Sequence, residues 1–453
     1  MKTKRKFRKA DYKATEELEI KLGDALPADH LARYIVTVVG LLELSEIYEK
    51  YGERGGMPYA PEVLLGLLLY GYATGTYSSR GIERGTYEQI PYRYIAGNMN
   101  PDHDTLNEFR KKNLEELKGI FVQVLLMAHM MGYVKLGNIS IDGTKVDADA
   151  SKSKAVSYGR IGQMEERLTE EIERLFKLAE EADGSDGDID IDNEIQRRKS
   201  KLTSLAQAKA VLDARAAERD AIAEAEYQEK LKARQEKEKG TGKKSRGRKP
   251  KPPQKGPREK DQYNFTDPDS RIMKNGNKKG FEQCYNGQAA VDQASRLIVG
   301  NILSNHPNDK LEAIPVVDAI PQELGKPDAA ALDNGYMSPT NIDELEERGI
   351  TPYIATGRDS HHFDLDSLFD DGLEPPPDHA NHIVKMIFAL NTEAGKTIYK
   401  LRKSTVEPVF GIIKEVMGFR QFSLRSLAAA AGEWNLVCLA YNLKRLHVLG
   451  PLA

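Results

Sequence analysis

The chain predicts an α/β (α+β) fold: a mixed sheet flanked by helices, preceded by an all-helical domain and interrupted by an inserted helical hairpin. Three observations carry this. Apolar residues recur at helical spacing from residue 28 to 133. From about residue 137, short strand-like runs alternate with helical ones. Between 152 and 260, a heptad-like stretch and then a strongly charged one break that alternation.

Residues 1–27 are basic, then mixed in charge, and are expected to be poorly ordered. Residues 28–133 form the helical domain. "HLARYIVTVVGLLELSEIYEKY", "APEVLLGLLLYGYATG" and "LEELKGIFVQVLLMAHMMG" supply its helices, and polar turns such as "TYSSRGIERGT" separate them. Pro61 falls where a helix begins, its tolerated position. The sheet domain takes 134–152 and 261–449. "NISIDGTKV", "YNGQAAVDQ", "LIVGNILSN", "AAALDNG" and "TPYIAT" read as strands, with "DKLEAIPVVDAI" and "SPTNIDELEERG" as amphipathic or helical segments among them. Residues 153–238 form the inserted hairpin. Its first helix puts Ile161, Met164, Leu168, Ile172, Leu175, Ala179 and Ala182 on one stripe. "DGSDGDIDID" turns the chain, and an Ala-, Lys-, Glu- and Arg-rich helix returns. Residues 239–260 hold ten Lys or Arg and one Glu among Gly and Pro, which reads as a flexible basic linker.

Composition narrows the class. The 453 residues are 40% hydrophobic and 30% charged, enough for two or three domains with a core, and the net charge of −3 selects no partner. Cys284 and Cys438 form no metal or disulfide pattern, which suits a reducing compartment. The start "MKTKRKFRK" leads into polar sequence, so no signal peptide is expected. The longest apolar run, "VLLGLLLYGYA" at 63–73, is too short to span a membrane and reads as a buried helix. The expected location is the prokaryotic cytoplasm, in contact with the nucleoid.

The strand "NISIDGTKVDADAS" carries Asp142 in its middle, where a strand disfavours Asp and a buried carboxylate is costly without a partner. A second short apolar strand ends in Asp333, before the turn residues Asn334 and Gly335. A third acid, Glu407, lies in "TIYKLRKSTVEPVFGIIKEVMGFRQF". There Ser404 or Thr405 can cap a helix, with Pro408 in its first turn. Glu407, Gly411 and Lys414 are spaced i, i+4, i+7 and would share a face. Acids from two strand ends and a helix can converge on one point. Close carboxylates repel unless a hard cation such as Mg²⁺ binds them, and a pair of such ions serves in-line displacement at phosphorus.

With these residues in place, the chain resembles bacterial insertion-sequence transposases of the DDE type. It is most similar to the IS1182-like group, related to the IS4 and IS5 transposases. The resemblance runs from about residue 28 to 449. Its blocks, in order, are "MPYAPEVLLGLLLYGYATGTYSSRGIE", "HDTLNEFRK", "TDPDSRIMK", "YNGQAAVD", "ALDNGYMSPTNIDELEERGITPYIAT" and "VEPVFGIIKEVMGFRQFSLRS". It implies an RNase H-like catalytic domain in which Asp142, Asp333 and Glu407 are the catalytic, metal-binding triad for two Mg²⁺ or Mn²⁺ ions. It further implies a Tyr-Arg-Glu-Lys signature, which Tyr399, Arg402, Glu407 and Lys414 fit, with Arg402 and Lys414 contacting phosphates. Here four residues separate Arg402 from Glu407, where the usual pattern has three. The implied partners are double-stranded DNA, as terminal inverted repeats and target, and a second copy of the chain.

Several residues have plainer readings beside these. Asp147 and Asp149 read as solvated residues at the strand's exit, and Glu415 falls off the Lys414 face. Arg271 in "TDPDSR" contacts DNA or an acid of the site, or else makes a hairpin salt bridge. Tyr336 reads as core ahead of base stacking, His361 and His362 as a polar loop, and Trp434 as a core anchor. The basic linker can grip DNA backbone. Recognition of the element's ends is assigned to residues 28–133, with Arg80, Arg84, Arg110, Lys111 and Lys112 facing DNA. Two rival functions stand beside transposition: a metal-dependent nuclease on the same fold, and a domesticated DNA-binding protein without activity.

Overall fold

A computed structural model describes residues 21–52, 56–181, 190–241, 249–275, 280–357, 375–377 and 380–450. Residues 1–20 of the expected poorly ordered start (1–27), most of the turn at 183–192 and the pair His361 and His362 lie outside these residues. The chain divides into two units. One comprises residues 1–135, 415–418 and 435–453; the other comprises 136–414 and 419–434. The last turns of the chain, from 435, thus group with the helical unit, where the sequence reading assigns them to the sheet domain.

The helical unit contains α1 (Leu31–Val39), α2 (Ser45–Tyr48), α3 (Pro61–Thr74), α4 (Ser79–Glu88), α5 (Ile90–Ile95), α6 (His103–Lys112) and α7 (Leu114–Met130). Helix α3 is apolar all round and buried from Leu64 to Ala73, as such a helix must be. Pro61 opens it, and Gly75 ends it at φ +86°, a left-handed conformation that favours glycine. Residues 415–418 and 435–453 complete this unit. The Tyr77 hydroxyl donates to the Met417 carbonyl at 2.5 Å, Asn435 to the Leu117 carbonyl at 3.0 Å, and Lys444 to the Ala73 carbonyl at 3.1 Å.

In the second unit, β1 (Asn138–Asp147) leads into the insert: β2 (Ala155–Ser157), α8 (Tyr158–Glu181), α9 (Ile191–Thr241) and β3 (Gln262–Asn264). The insert has its own core. Ile161, Leu168, Leu205, Ala208 and Leu212 pack with Val156 of β2, and Met164 and Tyr263 flank them. The expected stripe therefore faces the returning helix of the same chain. Residues 255–261, the end of the expected flexible linker, run back along α9. Arg219 holds both Asp261 oxygens, at 3.1 and 2.9 Å, and the Gly256 carbonyl at 3.0 Å, while the Gly256 amide meets Asp220.

The chain then forms β4 (Arg271–Asn275), β5 (Gly280–Asp292), β6 (Ile298–Ser304), α10 (Ala313–Asp318), β7 (Ala329–Leu332), α11 (Pro339–Glu347) and β8 (Thr351–Ile354). It ends with α12 (His382–Asn391), α13 (Glu393–Gly411) and α14 (Leu427–Leu449), whose first turns, to Trp434, belong to this unit. The sheet runs β4-β5-β1-β7-β8, with β6 also on β5. Strand β5 is antiparallel to β1, β4 and β6, whereas β7 is parallel to both β1 and β8. Strand β1 is therefore central and covered on both faces, so Ile139, Ser140, Ile141 and Val146 are all fully buried. This is the mixed sheet of an RNase H-like domain.

Helices cover the two faces at glycines. On one face, the Trp434 ring lies over Gly287, where a Cβ would stand 2.9 Å from it, and the indole N–H donates to the Gln288 carbonyl at 3.2 Å. Trp434 is the anchor its composition suggests. On the other face, the Val316 carbonyl at the end of α10 sits over Gly300. The "TDPDSR" block fixes the start of α14. Buried Asp267 accepts the Tyr285 hydroxyl (2.9 and 2.8 Å) and the Ser426 amide (3.3 Å), and Asp269 accepts the Leu427 amide (3.0 Å). These carboxylates satisfy amides that a helix N-terminus leaves open.

Among the described residues no helix is long and apolar enough to cross a membrane. Replacing Trp434 with Ala should cost about 3–5 kcal/mol, the usual range for a buried aromatic. Urea unfolding followed by circular dichroism measures it, and a change under 1 kcal/mol would mean the ring does not anchor the sheet.

Candidate active site

The parallel pairing of β1 with β7 sets the site. Ile141 pairs with Leu332, so the next residues along each strand, Asp142 and Asp333, emerge side by side. Asp142 pairs across β5 with Ala289, two positions from Gly287, and so faces the side where Trp434 packs. Each carboxylate is aimed by a local amide. The Gly143 N–H donates to Asp142 Oδ1 at 2.8 Å, and the Gly335 N–H donates to Asp333 Oδ1 at 2.8 Å.

Arg402 of α13 completes the pair. Its Nη1 lies 3.2 Å from Asp142 Oδ2, with side chains only 7% and 20% exposed respectively. Its guanidinium carbon stands 5.9 Å from the centre of the Tyr399 ring. Burial works against the Arg402 charge, but Asp142, Tyr399 and Asp333 outweigh it and raise its pKa. Burial and then the charge of Asp333 push Asp142 up from 3.8 to about 6, against the opposing effect of Arg402. Burial also raises Asp333, against the Gly335 amide and Arg402. These are two crowded carboxylates that one guanidinium compensates incompletely. An all-oxygen, doubly anionic set of this kind suits a hard divalent cation.

The third acid is placed differently. Glu407 is exposed on α13, five residues past Arg402, about 7.5 Å along the helix axis. Among the described residues no group of three or more His, Cys, Asp or Glu side chains is close enough to hold a metal together. The helix itself differs from expectation. It starts at Glu393, capped by Thr392, so Pro408 lies inside it. Ser404 and Thr405 cap nothing; their hydroxyls donate back to the Leu401 carbonyl at 3.0 and 2.7 Å. After Gly411 the chain makes a π-helical turn, Ile412–Val416, so α-helical spacing does not carry from Glu407 to Lys414. Lys414 Nζ donates to the Lys145 carbonyl at 2.9 Å, tying that turn to β1.

Other expected residues stand apart. Arg271 donates to the carbonyls of Pro268, Asp269 and Ser270 at 2.7–2.9 Å, level with Cys284 on β5. Burial and nearby Arg215 push its pKa down to about 10. Arg110 does not face DNA, because it is buried and donates to the Tyr72 hydroxyl at 2.8 Å. Arg80, Arg84, Lys111 and Lys112 are exposed on α4 and α6. Asp147 is not solvated: it is 8% exposed and accepts from Asn275 at 2.8 Å. Asp149 pairs with exposed Arg425 at 2.8 Å. Tyr336 is fully buried and donates to Gln288.

One residue was not foreseen. Asp309, in the loop after β6, accepts from Asn286 (2.7 Å), Gln288 (2.7 Å) and Lys145 (3.3 Å). It lies close enough to Asp142 and Asp333 for its charge to bear on both. Its loop, "NHPNDK", has no apolar period, and only its polar character marks it.

Residues 248–443 match the family "Transposase DDE domain", and residues 20–112 match "Transposase domain (DUF772)". Asp333 and Glu407 fall inside the first match; Asp142 precedes it, on the far side of the inserted hairpin. No curated protein and no solved structure matches the chain.

The raised pKa of Asp142 has a thermodynamic consequence. The folded state holds this proton to about pH 6, while the unfolded chain releases it near 3.8. In chelator, stability from this group is full at low pH and declines as pH rises between those values, by on the order of 2 kcal/mol. Asp142→Asn should remove that part of the pH dependence. Thermal melts of both proteins in EDTA at pH 4.5 and 7.5 measure it; parallel curves would contradict it.

Proposed function

We propose that this chain, which belongs to the DDE transposases through its two transposase domains, uses Asp142, Asp333 and Glu407 to cut DNA at its element's ends and join the freed 3′ ends to target DNA. The family is one of metal-dependent DNA-cleaving enzymes that act on DNA. The observation that supports these residues is the Asp142–Asp333 pair, half-buried side by side where β1 runs past the end of β7 and compensated only in part by Arg402.

Mg²⁺ or Mn²⁺, as two ions, would be held by Asp142 and Asp333 and supply activation of the attacking oxygen and neutralisation of charge at phosphorus. The chain's own groups do the rest. The Gly143 and Gly335 amides orient the two carboxylates. Arg402 offsets part of the Asp142 charge, and its guanidinium could turn to a phosphate when a cation takes over that role. Tyr399 bounds Arg402 on one side. Lys414 holds the π-turn against β1. Glu407, the third acid in the order the resemblance implies, is exposed on α13 and is proposed to complete the set.

The exposed Arg80, Arg84, Lys111 and Lys112 of the helical unit are proposed to grip the backbone of the terminal repeats. Two ends must be held at once, which calls for a second copy of the chain. The work takes place on chromosomal DNA, in the prokaryotic cytoplasm.

Asp142→Asn, Asp333→Asn and Glu407→Gln should each cut cleavage of a labelled element end by more than about 100-fold, beyond the cost of an outer-shell change. Cleavage retained in Glu407→Gln would assign the third acid elsewhere. With paired ends and a target plasmid, the unaltered protein should give joined product; cutting without joining would favour the nuclease reading. Arg80→Ala with Arg84→Ala should weaken end binding in gel shift and flatten its salt dependence by about two phosphate contacts. An unchanged salt slope would move the end-binding surface elsewhere.

A further inference from the structure

The two amides that aim Asp142 and Asp333 belong to glycines, and one side chain lies against both glycines. A Cβ at Gly143 would stand 2.7 Å from Asp309 Oδ1, and a Cβ at Gly335 would stand 3.5 Å from Asp309 Oδ2. The Asp309 carboxylate thus spans the strand glycine and the turn glycine whose amides set the orientation of the acids. It is itself fixed from three sides. Asn286 and Gln288 of β5 donate to it, each at 2.7 Å, and Lys145 of β1 lies at 3.3 Å. Gln288 is held in turn by the Tyr336 hydroxyl, from the segment that follows Asp333. Asn286, Gln288 and Tyr336 are fully buried.

We infer that Asp309 is a positioning residue that clamps Gly143 of β1 and the Gly335 turn, and through them holds Asp142 and Asp333 at the spacing that binds divalent cations. The physical case rests on space and charge. Gly143 has no room for a side chain, because Gln288 Nε2 and Asn286 Oδ1 would also meet its Cβ, at 2.3 and 2.9 Å. The glycine in "IDGT" makes way for this cradle. Lys145 and the two amide donors satisfy the Asp309 carboxylate, so it resembles an outer-shell support more than a cation ligand. Supports of that kind fix the first ligands, and their loss costs about 10–100-fold in metal affinity.

The inference rests on the reading of Asp142 and Asp333 as the cation-holding pair, and the test separates the two. Mn²⁺ is titrated calorimetrically into the metal-free full-length protein and its variants, beside thermal melts and end-binding gel shifts in EDTA. Asp309→Asn keeps the size of the side chain and removes its charge. It should weaken Mn²⁺ binding about 10–100-fold, leave DNA-end binding unchanged and raise the Mn²⁺ needed for half-maximal cleavage by a similar factor. Gly143→Ala, which crowds the same cradle from the strand side, should reproduce the affinity loss and serves if Asp309→Asn fails to fold. Unchanged Mn²⁺ affinity in a folded Asp309→Asn or Gly143→Ala protein, with Asp142→Asn abolishing it, would overturn the positioning role alone. Unchanged affinity in Asp142→Asn would overturn the reading of the pair itself.

Discussion

The sheet unit is arranged around one electrostatic problem: two carboxylates side by side on adjacent parallel strands, Asp142 in the middle of β1 and Asp333 just past the end of β7. The pairing of Ile141 with Leu332 brings the next residue of each strand, Asp142 and Asp333, to the same place. The fold answers with one buried guanidinium, Arg402, and two glycine amides. The compensation is incomplete, and burial together with mutual repulsion leaves Asp142 titrating near 6. A structural ion pair would normally be closed more fully, since an uncompensated buried charge is expensive. The deficit of positive charge is what a divalent cation would supply.

The scaffold serves that pair from both faces of β1. On one face α13 brings Arg402 and Tyr399, and Trp434 seals the sheet at Gly287. On the opposite face Lys145, Asn286, Gln288 and Asp309 form a second layer of charge and hydrogen bonds. Glycines at 143 and 287 mark where each layer presses on the backbone. A carboxylate pair anchored to a sheet, with further hydrogen bonds on the reverse face, is more rigid than one placed on loops.

The sequence made much of this legible. Ile139 and Ile141 before an acid and Val146 after it announced a strand, and β1 is the central one. The alternation after residue 260 announced β5 to β8 but not the short β2, β3 and β4, and the stripe from Ile161 announced the hairpin that packs on itself. Errors arose where one residue type serves two roles. Ser404 and Thr405 look like helix caps, yet their hydroxyls donate to Leu401, so α13 begins twelve residues before Thr405. Arg110 looks like a surface cation in a basic turn, yet its guanidinium is buried against Tyr72. Asp147 looks like a strand exit, yet Asn275 holds it inside.

Local pattern by itself determined the class of most elements and the resemblance to DDE transposases, because periodicity and ordered blocks are properties of neighbouring residues. Tertiary structure alone decided which charges meet. Arg402 reaches Asp142 across 260 positions, and Asp309 spans two glycines that lie far apart in the chain. Strand register and helix docking set those distances, and neither is written in the spacing along the chain. The same holds for Glu407, whose exposed place on α13 follows from where that helix begins and which face it buries.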